Sequence, residues 1–236
     1  MTGATELPEA AQCDTPGIVL LSDGLGRTAP DVAVLFARRD SGYKAMPQLD
    51  VYDIDRDARS YDGPFPVVAH PPCRGWGRLR HFAKPRPDER NLARLAVALV
   101  REFGGVLEHP SHSTLWAAQR LPQPGQRDAY GGWTMGVQQW QFGHRAETRT
   151  WLYLVGCEPK DTPDLPALKL GQASHVIAQD SRPRRGTNGE RLRKDMPGWR
   201  PEVLKAEREH TPAEFRVWLV DLARRCKAVE MRSMAC

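Results

Sequence analysis

The sequence predicts an α/β fold, a largely parallel sheet flanked by helices, followed by a short basic extension and a terminal helix. Two short apolar runs, Val67-Val68-Ala69 and Val106-Leu107, enclose a stretch in which Leu92, Leu95, Ala96, Leu99, Val100 and Phe103 recur at helical spacing. A strand, an amphipathic helix and a second strand form the unit from which parallel sheets are built. The residues that carry chemistry, His70-Pro71-Pro72-Cys73 and Glu108-His109-Pro110, stand at the two strand exits. That is the end at which open α/β sheets bind ligands.

The chain has 236 residues, enough for one domain with an appendage or for two small ones. Hydrophobic residues make up 40% and charged residues 27%, the balance of a soluble globular protein. No apolar run approaches the length of a membrane span, and residues 1–12 lack the basic and apolar regions of a signal peptide. A cytoplasmic monomer with no membrane partner is the expectation. Cysteines 13, 73, 157, 226 and 236 show no paired spacing and no zinc-like spacing with histidine, so reduced thiols and no structural metal are expected. The net charge of +5 is compatible with a polyanionic partner without demanding one.

Taken in order, residues 1–16 are polar and read as a disordered start, and residues 17–156 as the α/β domain. Ile18-Val19-Leu20-Leu21 is a strand candidate, and the turn after it, Ser22-Asp23-Gly24-Leu25-Gly26, is open to two readings. It is either an ordinary tight turn or one whose glycines let a nucleotide-type cofactor approach the backbone. Residues 32–37 and 50–55 are the next strand candidates, the second ending in acids, Asp53 and Asp55. At 67–69 the prolines behind the apolar run end the strand, since neither can donate to a ladder. Arg74, Arg78, Arg80 and His81 follow Cys73 closely, and a positive field of that kind favours thiolate.

Beyond the helical stretch, Ser113-Thr114-Leu115-Trp116 opens a short helix, and a Gly- and Gln-rich linker with Trp133 and Trp140 leads to a strand at 150–156. From 157 to 209 Pro, Lys and Arg dominate, and Arg182, Arg184 and Arg185 sit in a Gly- and Asn-containing segment. That segment is either a solvated loop or one that meets phosphates. In residues 210–236, Thr211-Pro212-Ala213-Glu214 reads as a helix start with Thr as N-cap. Phe215, Trp218, Leu219 and Leu222 form the inner face of that helix.

A thiolate, a carboxyl and a guanidinium around one pocket answer a recognisable demand. A pyrimidine becomes reactive at carbon 5 when a thiolate adds to carbon 6, if an acid holds the ring nitrogen and a cation holds the carbonyl oxygen. The order Pro71-Pro72-Cys73, then Glu108-x-Pro110, then Gln-x-x-x-Phe142-Gly143, then an Arg ahead of Trp151-Leu152-Tyr153-Leu154-Val155-Gly156 resembles the DNA cytosine-5 methyltransferases. The likeness is to short phage and prophage members, and it covers residues 65–156 best. The resemblance implies a Rossmann-like methyltransferase-type sheet, S-adenosylmethionine as cofactor and DNA as partner.

It further implies Cys73 as nucleophile, Glu108 as holder of the base and Arg149 as a carbonyl clamp. His70, Pro72, Arg74, His109 and Arg145 would meet the substrate, with Arg184 and Arg185 on phosphates. Asp23, Gly24, Gly26 and Asp53 would meet the cofactor. The chain departs from the family pattern at several places: Trp151 replaces the second Arg of an Arg-x-Arg pair, His109 stands where Asn is usual, the aromatic-x-Gly-x-Gly cofactor loop has only Ser22-Asp23-Gly24-Leu25-Gly26 as a stand-in, and the target-recognition region after Cys157 is short. Two alternatives stand beside the enzyme reading. One is a non-catalytic nucleic-acid-binding or anti-restriction protein with a relic pocket; the other is a pyrimidine hypermodification enzyme that uses a different donor.

Overall fold

A computed structural model describes residues 29–78, 80–111, 113–177, 189–190, 192–194 and 196–226. Its centre is a mixed six-stranded sheet in the order β2-β1-β3-β4-β6-β5. The strands are β1 Val32–Leu35, β2 Leu49–Val51, β3 Val67–Ala69, β4 Gly105–Pro110, β5 Trp133–Gln138 and β6 Arg149–Val155. The first four run parallel, and β6 lies antiparallel between β4 and β5. Four α-helices accompany them: α1 Glu89–Phe103, α2 Leu115–Ala118, α3 Lys205–Arg208 and α4 Ala213–Arg225.

The strands β1 and β3 are buried along their whole length, as expected for parallel strands covered on both faces. One face packs on α1, which buries Ala93, Ala96, Val97, Leu99 and Val100 against Ala69, Leu107, Tyr153 and Val155. The other face packs on α4, whose Phe215, Leu219 and Leu222 cover Val34, Val68, Val106 and Leu154. Successive side chains of a strand alternate between these two layers. Helix α1 ends at Gly104, and Gly105 follows with φ +116°. A Cβ at Gly105 would stand 2.1 Å from the Val67 carbonyl oxygen, so β3 and β4 lie side by side at this register because the residue has no side chain.

Several expectations are met in shifted form. The strand expected at 32–37 stops at Leu35 because Phe36 turns into the left-handed region at φ 62°. The strand expected at 50–55 is Leu49–Val51, since the Asp53 carboxylate captures the backbone N–H groups of Asp55 and Arg56 and turns the chain. Helix α4 is capped by Pro212, not Thr211; the Thr211 carbonyl accepts from Arg216 instead. The Gly- and Gln-rich stretch expected as a linker contains the edge strand β5, which buries Thr134 on the α1 face and Val137 on the α4 face. The strand candidate at 18–21 lies outside the described residues. No helix among the described residues is long and apolar enough to cross a membrane.

From Cys157 onward the described chain is largely irregular. Two isolated bridges, Ala146 with His175 and Val176 with Glu202, tie it to the segment before β6 and to the approach to α3. Helix α4 lies on the face opposite α1.

Candidate active site

The chain leaves β1 for β2 on one side, then returns to place β3 on the other. The exits of β1 and β3 therefore diverge, and the crevice at such a switch point is where open α/β sheets hold ligands. A cleft of about 250 Å³ occupies that place. Phe36 and Ala37 line it from the exit of β1, Asp53 and Ile54 from the exit of β2, and Pro72 from the exit of β3. Glu89 and Leu92 close it from the first turn of α1, and no residue of α4 lines it.

Cys73 follows directly on the Pro72 wall. Its carbonyl accepts from the N–H groups of Trp76 and Gly77, at 2.9 and 2.8 Å, which closes a tight turn. Trp76 is fully buried, donates from Nε1 to the Arg90 carbonyl and accepts at its own carbonyl from Thr114. Trp76 thus pins the cysteine loop to α1 through its side chain and to the exit of β4 through its carbonyl. Cys73 is an exposed free thiol, whereas Cys157 and Cys226 are buried.

Its electrostatics reverse the sequence expectation. Crowding by the surrounding protein, with the Glu108 carboxylate second, pushes the Cys73 thiol up to about 11. Arg74 pulls it down, but weakly, because its guanidinium lies 2.8 Å from the buried Glu89 carboxylate. The cations near Cys73 in sequence do not make a thiolate, since the nearest one is neutralised by an acid from α1.

Glu108 stands at the same rim as Cys73, on the α4 face of the sheet, opposite Leu152. His70 Nδ1 lies 3.3 Å from its Oε2, and Gln139 Nε2 donates to its Oε1 at 3.2 Å. Gln139 also donates to Thr150 Oγ1 at 2.9 Å, and the Tyr43 hydroxyl bonds His70 Nε2 at 2.9 Å. The result is an unbroken polar row, Tyr43–His70–Glu108–Gln139–Thr150, across five segments of chain.

The other sequence candidates divide. Pro72 and Asp53 line the cleft, but both Asp53 oxygens already accept, from Lys44 and from the N–H groups of Asp55 and Arg56. Those donors, Lys44 first, hold its pKa at about 2. His70 sits behind Glu108 as its partner. Arg74 is occupied by Glu89, and Arg145 is held by both oxygens of Glu207 and so clamps α3.

His109 is fully buried on the α1 face against Trp116, so it presents nothing to a substrate; burial lowers its pKa to about 4 and leaves the ring neutral. Arg149 begins β6 at the same rim, but strand alternation places it with Trp151 and Tyr153 on the α1 face, across the sheet from Glu108. Of the three residues expected on one pocket, Cys73 and Glu108 stand at one rim of the sheet, neither of them lining the cleft, and Arg149 lies on the other face. Asp23, Gly24, Gly26, Arg184 and Arg185 lie outside the described residues. The turn that does follow the switch-point strand is residues 36–41.

Tyr43, Gln139 and Phe36 escape a reading of the sequence. Gln139 lay in plain view beside Gln138 of the family-like pattern, but Tyr43 comes from a 3-10 turn between β1 and β2 and carries no local signal. No protein-family model matches the chain, and neither a curated protein nor a solved structure does.

Proposed function

We propose that this protein modifies a pyrimidine base in DNA at carbon 5, through a covalent adduct between Cys73 and carbon 6. The observation that carries the reading is the shared rim. An exposed thiol, one residue past the Pro72 wall of the cleft, and a carboxylate held by two donors stand at one rim of the sheet. The parallel strands with one antiparallel strand inserted support a Rossmann-like methyltransferase-type sheet for the same reason.

The cleft's support for S-adenosylmethionine is its apolar surface: Phe36 and Ile54 would meet a flat ring. Its acids Asp53, Asp57 and Glu89 are already paired with Lys44, Arg59, Arg74 and Arg86. Bound there, the cofactor supplies an electrophilic methyl group. The chain's own residues do the rest. At neutral pH Cys73 holds its proton, so as sulfur bonds carbon 6 that proton passes, overall, to ring nitrogen 3, where the ring takes up the electron pair. Glu108 accepts hydrogen bonds from that N–H and from the neighbouring 4-amino group. Both are strongest once the adduct has formed, so they stabilise the addition more than the binding. Once carbon 5 had bonded the methyl group, loss of the carbon 5 proton and expulsion of the Cys73 sulfur, with return of the nitrogen 3 proton to it, would restore the aromatic ring and the thiol. A base in a duplex must leave its stack to reach this rim.

Expression of the wild-type chain should leave a modified pyrimidine in host DNA, read by nucleoside mass spectrometry. Cys73→Ser should leave none while binding DNA with nearly unchanged affinity, because it removes a covalent step and no phosphate contact. Equal modification by wild type and Cys73→Ser would refute the mechanism.

A further inference from the structure

We infer that Tyr43 and His70 are positioning residues that hold Glu108 as a hydrogen-bond acceptor through a one-way row of hydrogen bonds. The argument follows the hydrogens. Tyr43 is 1% exposed, and the hydrogen bond of its hydroxyl among the described residues goes to His70 Nε2. Burial and the Glu108 charge keep that hydroxyl protonated against the opposing charge of Arg216. A phenol without another acceptor must donate, so His70 Nε2 accepts and the ring is neutral with its hydrogen on Nδ1. Nδ1 then donates to Glu108 Oε2, while Gln139 donates to Oε1. Were His70 cationic, the Tyr43 hydrogen would be left in the protein interior with nothing to meet.

Two further titratable groups feel Glu108, Cys73 in the loop after β3 and His109 beside it on β4; neither donates to its oxygens among the described residues. With one lone pair on each oxygen taken from behind, Glu108 faces the rim with acceptors on both. That edge matches a ring that shows two adjacent N–H donors, as a 4-aminopyrimidine does once nitrogen 3 is protonated in the adduct. An oxygen at position 4 would meet a carboxylate oxygen, acceptor against acceptor. This assignment of His70 to base recognition rests on the proposed function; the direction of the hydrogen bonds does not.

The first test therefore needs no substrate. In ¹⁵N-histidine-labelled full-length protein at pH 8, the His70 ring, assigned by its loss in His70→Asn, should be the neutral Nδ1–H tautomer. In Glu108→Ala it should stay Nδ1–H, because the Tyr43 hydroxyl still donates to Nε2. An Nε2–H tautomer or an imidazolium in the wild type would overturn the relay, whether or not the protein modifies DNA.

The second test is kinetic. His70→Asn, whose amide can donate from the place of Nδ1, should keep kcat within about threefold of wild type. His70→Leu should lower kcat about tenfold or more with KM unchanged. A His70→Leu protein with normal kcat, or one impaired through KM alone, would remove His70 from the chemistry while leaving the tautomer result standing. Absence of any modified base in the wild type would instead refute the proposed function.

Discussion

Cys73 is a thiol whose surroundings oppose its ionisation, and the opposition is instructive. The protein around it and the Glu108 carboxylate together raise its pKa to about 11, so at neutral pH it is a protonated thiol. Alkylation by iodoacetamide should accordingly be slow at pH 7 and climb steadily toward pH 11. Glu108→Gln removes the second of the two causes, lowers the thiol's pKa and should speed alkylation at pH 8 by roughly threefold or more. Peptide mass spectrometry separates Cys73 from the other cysteines. A wild-type thiol that alkylates fully as a thiolate at pH 7, or a Glu108→Gln variant no faster than wild type, would contradict this account of the charge at the rim.

At the scale of elements, the strands and helices that obey a simple period were legible in the sequence. Helix α1 follows its apolar spacing to within a few residues, and β3, β4 and β6 lie where short apolar runs meet proline or glycine. Other features were not legible because distant partners decide them. Edge strand β5 hides in a Gly- and Gln-rich stretch because its ladder to β6 supplies what its composition does not. The face on which Arg149 emerges depends on the β4–β6 register, which pairs Glu108 with Leu152 and leaves Arg149 on the other side. The Arg-rich loop promised a positive field, but Glu89 comes from α1 to cancel it.

The constraint on Gly105 is the Val67 backbone. A Cβ there would meet the Val67 oxygen at 2.1 Å and nitrogen at 2.5 Å, with φ in a region that side chains avoid. Gly105→Ala should therefore destabilise the fold by about 3 kcal/mol or more, measured by urea unfolding. A loss under about 1 kcal/mol would mean that the β3–β4 contact is looser than described.

At the scale of the whole molecule, a net charge of +5 and the basic run around Arg184 and Arg185 suit a partner with a phosphate backbone. Replacing both arginines with alanine should weaken binding to all duplex sequences alike. It should also flatten the log–log salt dependence by roughly one to two units, since each phosphate contact contributes about −0.9. Anisotropy titrations that give parallel, unshifted lines would assign the basic run to solvent. On the proposed mechanism the choice of base should not change, because it would be made at the rim where Cys73 and Glu108 stand.

The central claim is the bond between Cys73 and carbon 6, and a trapped adduct tests it most directly. Duplex DNA carrying 5-fluorocytosine blocks the final proton loss at carbon 5, so an enzyme of this mechanism stays attached after transfer. With S-adenosylmethionine present, wild type should give a DNA-linked species that survives denaturation and maps to Cys73 by mass spectrometry, and Cys73→Ser should give none. An equal yield from Cys73→Ser, a linkage that maps to another residue, or no adduct with DNA from a host in which the protein modifies cytosine would contradict the account.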